Sequence, residues 1–440
     1  MRKHLLSAVA AGVLLAGTVT AGDDLNAVIK ADYDSHLGAL FTHFHKNPEL
    51  SSQEYETAKR IAKEIRAVGF DVTEGVGGTG VVATLKNGDG PMVMMRADMD
   101  GLPVPEKSGL SYASKVVTVD KVTGFTAPAM HACGHDVHIT SLVGTARRMA
   151  AMKDQWSGTL MLIGQPAEER GPGASAMMDD KLWQRFGQPD YALAFHVNSG
   201  GLAGQVNVLK GSPYAGADTV DITVHGVGAH GASPHAGKDP VLIGSQIVVA
   251  LQTLVSRELS PRQPGVVTVG SFHSGTKHNI ISDKALLQIT VRNTNPQTRK
   301  ILLDGIKRIA VNTARAAGVA EDKLPDVVVS PDGYPPTMND DKMVGRLKAL
   351  WLDKMGADMV VSVPPTGMGA EDFPFFTTDP YIPSVYFSVG GTPQADFARA
   401  KAGGAPVPSH HSPIFKITPE PAVRSGVEAT VVALLDLMKK

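Results

Sequence analysis

The segment MVMMRADMD, residues 92–100, joins an apolar run directly to charged side chains. Four consecutive apolar residues are typical of a strand that is buried on both faces. The pattern recurs in TLMLIGQPAEE, residues 159–169, and in YALAFHV, residues 191–197, which carries His196 near its end. Because ligands of α/β sheets bind beyond the carboxyl ends of the strands, these acids and the histidine indicate a site at that edge.

Helical patterns alternate with these strands. SSQE, residues 51–54, has the spacing of a capping box and precedes a helical stretch that Gly69 ends. A second apolar stripe at helical spacing runs from Ile139 to Met149. The alternation predicts an α/β fold with a mainly parallel sheet covered on both faces.

The pattern changes after KGSPYAGAD, residues 210–218. The segment that follows has the order β-α-β-β-α-β, with helices expected over residues 240–258 and 297–317. This order predicts a ferredoxin-like α+β domain inserted into the larger one. We expect residues 22–215 and 333–440 to form the larger domain and residues 216–332 to form the insertion.

The N-terminal residues have the pattern of an export signal. A basic start at residues 2–4 precedes an apolar run at residues 5–17 and a small-residue cleavage site at residues 19–21. The alternative, a buried N-terminal helix, explains neither the basic start nor the cleavage pattern. We therefore expect residues 1–21 to be a signal peptide and the mature protein to be periplasmic or secreted.

Composition excludes several classes of protein. With 43% hydrophobic and 19% charged residues the chain is globular, and 440 residues are too many for one ordinary domain. A net charge of −1 gives no electrostatic reason to expect a nucleic acid or a membrane surface as a partner. No run after the signal reaches the ~20 apolar residues of a membrane span.

The only cysteine, Cys133, lies in MHACGHDVH, residues 130–138, among three histidines and an aspartate. Exported proteins usually pair their cysteines, but a single cysteine cannot pair within its chain. Three explanations remain at this point: a nucleophile activated by histidine, a metal ligand, or a spare thiol.

Other residues favour a metal site. Divalent metals bind clusters of histidine, carboxylate and thiolate. Cys133 and His135 can face one point, and of the adjacent Glu168 and Glu169 one can bind metal while the other holds a water molecule. Distant segments add imidazoles at His196, His410 and His411. Two metals a few Å apart need roughly five or six protein ligands, which this set supplies.

The motifs also match a known family in order and spacing: RADMDGLP, MHACGHDVH, QPAEE, GAHGASPH, KHNIISD, VRNTN, GAEDF and HHSPIF. The sequence resembles the M20 metallopeptidase/amidohydrolase family, most closely its N-acyl-amino-acid amidohydrolase branch. The resemblance covers nearly all of the chain after residue 21. It implies a metal-binding catalytic domain with an inserted lid or dimerisation domain.

The resemblance also implies residue roles. Cys133 matches the thiolate that bridges two metals, and Glu168 matches the general base. His135 and His196 match ligands of one metal, and Glu169 and His411 match ligands of the other, with His411 preferred to His410 because it directly precedes the SP dipeptide.

Four further residues match positions around the metals. Asp100 matches an acid beside the metal ligands, and His230 matches a histidine that reaches the partner's active site in a homodimer. Asn279 and Arg292 match groups that contact substrate, and Arg292 offers a bidentate fork to a free carboxylate.

We therefore expect metal-dependent amide hydrolysis of N-acyl amino acids or short peptides, with a metal-activated water and Glu168 as general base. The ligand set suits zinc or manganese, and cobalt is also compatible. One alternative is a cysteine hydrolase in which Cys133 attacks and His131 or His135 is the base. The other is a non-catalytic exported binding protein, whose signature would be loss of Glu168.

Overall fold

The computed structural model describes residues 24–171 and 173–440, so the expected signal peptide, residues 1–21, lies outside the described residues. The helices are α1 (Leu25–Asp32), α2 (Gly38–Lys46), α3 (Tyr55–Arg66), α4 (His135–Ala151), α5 (Gly173–Asp179), α6 (Leu182–Phe186), α7 (Pro240–Thr253), α8 (Pro296–Ala316), α9 (Asp341–Met355), α10 (Pro374–Thr377), α11 (Gln394–Lys401) and α12 (Pro419–Leu437). Short π-helical turns continue α1 over Tyr33–Leu37 and α7 over Leu254–Glu258.

The strands are β1 (Asp71–Val76), β2 (Gly80–Asn87), β3 (Met92–Asp98), β4 (Val117–Val119), β5 (Thr126–Pro128), β6 (Gly158–Gln165), β7 (Tyr191–Leu202), β8 (Val206–Asn207), β9 (Gly211–Tyr214), β10 (Gly216–His225), β11 (Ala229–His230), β12 (Gly265–Ser274), β13 (Ile280–Ile281), β14 (Lys284–Asn293), β15 (Asp326–Val329), β16 (Thr337–Asn339), β17 (Val360–Val361) and β18 (Ser384–Thr392).

The large sheet has eight strands in the order β1-β2-β6-β3-β7-β18-β8-β17. Its centre is parallel, because β3 pairs in parallel with β6 and β7, and β7 with β18. The flanks are not: β2 is antiparallel to both its neighbours, and β8 is antiparallel to β18. The predicted mainly parallel sheet is therefore a mixed sheet, whose β1–β2 hairpin is possible only between antiparallel strands.

Helices cover both faces of this sheet. Along β3, Val93 and Met95 are buried in a core shared with α4 and α12, whereas Met94 faces a second core shared with α5, α6 and α10. Successive side chains of a strand point to opposite faces, so a run of apolar residues supplies both cores. This explains why the predicted strand was apolar throughout.

A separate four-stranded antiparallel sheet lies within residues 216–329, in the order β12-β14-β10-β15. α7 and α8 pack on it through residues such as Ile247 and Ile306, both fully buried in a core distinct from those of the large sheet. The β12–β14 connection joins the second and third strands, and α7 and α8 pack against each other as well as on this sheet, in the order β-α-β-β-α-β.

The segment Pro240–Glu258 is the one described helical stretch long and apolar enough, by composition alone, to cross a membrane. A third of it is buried against the small sheet, through residues such as Ile243 and Leu251. The opposite side exposes Val241, Leu242 and Val249. A helix that packs one face on a soluble core and exposes the other is better suited to a protein contact than to a lipid bilayer.

The capping-box prediction for SSQE is wrong, because α3 begins only at Tyr55. The Ser51 hydroxyl instead donates to Asp100 at 2.6 Å, and the buried Glu54 carboxylate accepts from the Ala167 backbone N–H at 2.8 Å. Short polar side chains can bind distant groups as well as helix ends. Here the polar pair ties the start of α3 to the loops that follow β3 and β6.

Candidate metal centre

The ends of three neighbouring parallel strands carry the acids and histidine of the site. Asp100 follows β3, Glu168 and Glu169 follow β6, and His196 lies within β7. Because β6, β3 and β7 are adjacent and parallel, their carboxyl ends meet at one edge of the sheet. The predicted position of the site is thus where these side chains lie.

A sharp turn brings Cys133 and His135 to the same edge. Gly134 between them has φ +85°, and a Cβ atom there would approach a Val197 methyl group to 2.3 Å. Glycine adopts this left-handed conformation without strain, which allows α4 to begin at His135. The possible ligand atoms of Cys133, His135 and His196 lie within 4.8 Å of one another, and the Cys133 Sγ is 3.3 Å from the His196 Nε2.

A second group shares the same thiol. The possible ligand atoms of Cys133, Glu169 and His411 also lie within 4.8 Å of one another. His411 has φ +63°, and its backbone N–H donates to the Ala132 carbonyl at 2.9 Å, which fixes the loop beside Cys133. Cys133 therefore stands between two groups of donors, the arrangement that a bridging thiolate requires.

His410 faces elsewhere. Its Nε2 lies 2.9 Å from the Val197 carbonyl oxygen, to which it donates, and burial lowers its pKa to about 3. His410 is in neither donor group, whereas the adjacent His411 is. The geometry agrees with the choice of His411 from the motif.

The donor set fits divalent metal ions. Within the described residues, the His135 Nε2 and the Glu169 Oε1 are buried without a hydrogen-bond partner. Burial together with Glu169 and Glu168 holds the pKa of Cys133 well above its usual range. For His135, burial is outweighed by Asp98 and Asp100, which raise its pKa to about 10. These groups keep their protons in the absence of a cation, and metal binding would release them.

Asp100 orients two of these donors. Its Oδ1 lies 3.2 Å from the His135 Nδ1, and its Oδ2 accepts the Glu169 backbone N–H at 3.1 Å. Carboxylates that bind the far nitrogen of a ligating histidine fix the ring orientation. Asp100 is thus placed to fix the positions of the His135 ring and of Glu169, consistent with its position in the motif.

A buried network of charged side chains near Glu168 was not predicted from the sequence. Arg96 is fully buried, and its guanidinium lies 2.7 Å from both Asp98 and Glu371 and 3.2 Å from Asp372. The carboxylates of Glu168, Glu371 and Asp372 lie within 4.8 Å of one another. The quoted motifs RADMDGLP and GAEDF contained these residues, and charges within otherwise buried motifs were the available signal.

Two histidines assigned no function also have defined partners. His138 accepts the Val197 N–H at its Nε2 and donates to Asp98 through its Nδ1. His45 is buried in α2 and lies 2.7 Å from Asp136 and 3.1 Å from Glu106. Burial opposes its charge, but the hydrogen bonds that His45 donates to both carboxylates raise its pKa to about 9.

The predicted small-domain residues are not part of this centre in a single chain. His230 is exposed in β11, whose pairing with β13 places it beside Asn279. Arg292 lies near the end of β14. None of these three residues lines the cavity formed around Cys133, Glu168 and the other described groups of the centre.

Comparison with protein families decides the classification. Residues 94–401 match the model of peptidase family M20/M25/M40. The chain belongs to this family. Its members hydrolyse amide bonds, so this M20 protein is a metal-dependent amide hydrolase, as the resemblance implied.

Individual relatives support this classification of the M20 chain. It is 38% identical over 346 residues to a hippurate hydrolase of Campylobacter jejuni, which covers 78% of this chain and 86% of the relative. It is 36% identical over 372 residues to thermostable carboxypeptidase 2 of Saccharolobus solfataricus, covering 84% and 87%. A crystal structure of a dinuclear metal-binding M20 peptidase from Bacillus subtilis superposes with a TM-score of 0.75 at 26% identity, covering 94% of this chain and all of that one.

Proposed function

We propose that this protein hydrolyses the amide bond of N-acyl amino acids, or of short peptides, with Glu168 as the general base. The observation that supports it best is the pair of donor groups that share Cys133, directly beside a second, unassigned carboxylate at Glu168. A hippurate hydrolase and a carboxypeptidase among the relatives cleave at an amide next to a carboxylate-bearing residue, as their names state.

The metal ligands of this proposal are five: Cys133, His135, Glu169, His196 and His411. Two divalent ions per subunit match this number when the thiolate bridges them, and the mixed donors suit zinc or manganese, with cobalt as a third candidate. When bound, such ions supply Lewis acidity and bring the pKa of a water molecule toward neutrality.

Glu168 moves the proton in this proposal. Burial and the neighbouring Glu371 and Glu169 raise the pKa of Glu168 well above its usual range. Cations in the centre oppose this shift, since they favour the carboxylate. A Glu168 oxygen can then accept a proton from the attacking water and pass it to the leaving nitrogen.

The small domain is proposed to be a ferredoxin-like lid and dimerisation domain of residues 216–332, inserted between catalytic parts 22–215 and 333–440. Its strand order, read from the last strand, is fourth, first, third, second, as in that fold. The exposed apolar side of α7 offers a surface for a second copy in a homodimer. His230, Asn279 and Arg292 would then serve the partner's centre, since they lie outside their own.

Export to the periplasm or beyond is part of the proposal and is supported only by the pattern of residues 1–21. Neither a nucleic acid nor a membrane is proposed as a partner, because the net charge of −1 favours neither.

The rival in which Cys133 is a nucleophile is disfavoured by its surroundings. A reactive thiolate needs a lowered pKa, whereas burial and two glutamates raise that of Cys133. His131 is buried, and its pKa is lowered to about 4 mainly by burial. A non-catalytic binding protein is disfavoured because Glu168 is retained.

The test uses purified protein, a chelator and add-back of zinc, manganese or cobalt. N-acetyl, N-benzoyl and dipeptide substrates are compared for release of a free amino acid. Activity that vanishes on chelation and returns with metal supports the proposal. Turnover indifferent to chelation excludes the metal-dependent mechanism.

A further inference from the structure

A cavity of about 930 Å³ extends from the metal centre across the large sheet. Four lining residues on adjacent strands form a row: His196 on β7, Ser388 on β18, Asn207 on β8 and Val361 on β17. Each is the direct register partner of the next. Directly paired side chains point to the same face, so these four form the floor of one trough.

The spacing of the strands along this row gives the length of the trough. Neighbouring strands lie ~4.8 Å apart, so three intervals separate His196 from Val361 by roughly 14 Å. An extended chain advances ~3.3–3.6 Å for every three backbone bonds, so this distance equals roughly twelve bonds. An acetyl group would fill only the end of the trough beside the metals.

Apolar side chains line the trough on several sides, beside polar groups at Gln205, Thr366 and Gln394. Its walls come from the end of β7, the segment after β8, the segment after β17, and α11, and its apolar side chains are Leu202, Leu209, Val361, Val363, Pro364, Pro365 and Phe397. Val363 is 58% exposed and lines this cavity.

One polar side chain fixes this wall. The Asn207 Oδ1 accepts the Val363 N–H at 2.8 Å, and its Nδ2 donates to the Val363 carbonyl at 3.0 Å. The Ser362 hydroxyl donates to the Val208 carbonyl at 2.6 Å. The wall is therefore held in place before any ligand binds, and the amide of Asn207 is committed to the backbone.

The charged residues around the cavity indicate which part of the substrate lies in the trough. Among the described residues around the cavity none is a lysine or an arginine, and Glu168, Glu169 and Glu371 lie at the metal end. A free carboxylate in the trough would have no cationic side chain to bind. The amino-acid part of the substrate must then point out of the trough, and the acyl part must point into it.

We propose that this trough is the acyl subsite and that it selects an apolar acyl group of roughly ten carbons over acetyl. The inference rests on the proposed amide hydrolysis and adds the class of acyl group to it. Val363 is the specificity-determining residue, because it lines the cavity and follows β17, the strand of the row farthest from His196.

The experiment measures kcat/KM of the metal-loaded enzyme for one amino acid carrying acetyl, hexanoyl, decanoyl or tetradecanoyl groups. Complete burial of a methylene corresponds to about a fourfold gain. We expect kcat/KM to rise at least 100-fold from acetyl to decanoyl and to stop rising at tetradecanoyl. A tetrapeptide with the same C-terminal residue is included as a competitor.

A matched pair of variants tests the wall. Val363→Asp should lower the ratio of kcat/KM for the decanoyl substrate to kcat/KM for the acetyl substrate at least tenfold, mainly through KM for the decanoyl substrate. Val122→Asp alters an equally exposed valine outside the cavity, 67% exposed, and should change neither.

The outcomes distinguish failure of the acyl subsite from failure of the proposed amide hydrolysis. Equal efficiency for acetyl and decanoyl substrates would overturn the acyl subsite while the proposed hydrolysis stands, and so would preference for the tetrapeptide. Failure of every N-acyl amino acid and of the tetrapeptide with each metal would overturn the proposed function itself.

Discussion

The Nε2 atom of His411, on the loop between α11 and α12, lies 3.3 Å from the Oε2 atom of Glu169, in the turn that follows β6. This contact joins the C-terminal part of the chain to the central strands. Glu168, the preceding residue, instead faces Glu371 and Asp372. Adjacent glutamates thus have separate surroundings, which supports separate roles.

Glu168 and Glu169 should respond differently to truncation. Glu168→Ala should retain its metal and lose ~10²–10⁴-fold in kcat, the usual contribution of general acid–base catalysis. Glu169→Ala should lose metal, because its carboxylate faces Cys133 and His411. Metal content by mass spectrometry and kcat are measured together, and equal metal loss in both variants would show that the pair is misassigned.

Cys133→Ser should lower metal content as well as activity. A hydroxyl keeps its proton at neutral pH and bridges cations poorly, whereas a metal readily deprotonates a thiol. Full metal occupancy in an inactive Cys133→Ser protein would instead favour the nucleophile. His131→Ala serves as a control, since His131 is in neither donor group and should keep its metal.

Stability should depend on pH through His45. Its pKa is raised to about 9 in the folded protein, so the proton binds more tightly there than in the unfolded chain. The stabilisation is fully present below pH ~6.5 and is lost as the pH rises through about 9, with a total of about 3 kcal/mol. The difference in free energy of unfolding between wild type and His45→Gln should shrink over that window. A difference in free energy of unfolding that is constant from pH 6 to 9.5 would refute the proposed contribution of His45.

Arg96→Met should destabilise the fold by about 3–5 kcal/mol, because Asp98, Glu371 and Asp372 would stay buried without their cation. The control is Arg308→Met, which removes an exposed pair with Glu258 and should cost less than about 1 kcal/mol. The free energy of unfolding of both variants is measured by urea denaturation. Similar losses would mean that the buried network contributes no more than a surface ion pair.

Two inactive variants should restore each other if His230 serves the partner. A mixed dimer of His230→Ala and Glu168→Ala chains has one centre with both native groups. Random exchange should restore up to about a quarter of full activity, because half of the dimers are mixed and each has one good centre. Verified exchange without recovery would remove His230 from the partner's centre.

Chain-local rules explain what could be predicted from the sequence. Acids after apolar strands placed Asp100 and Glu168 at the carboxyl edge, and the β-α-β-β-α-β pattern gave the element order of residues 216–329. The antiparallel flanks were not predicted, because apolar runs at β2 and β3 look alike whichever direction the neighbouring strand takes.

Contacts between residues far apart in the chain could not be predicted from the sequence. His45 binds Asp136 and Glu106, and Arg96 binds Glu371, but no local pattern links members of either set. Ser51 and Glu54 have capping-box spacing, yet both side chains form hydrogen bonds with residues that are distant in sequence. Local propensity is a weak guide where a side chain is buried among distant groups.

The spread of donors from Cys133 to His411 also sets an order of events during biosynthesis. The set is complete only after residue 411 has been made, and α12, which follows it, packs on α4, the helix that begins at His135. Contacts this far apart in sequence form late in folding. A nascent chain therefore offers only part of the donor set, and the complete centre can be loaded with metal only after synthesis has passed His411.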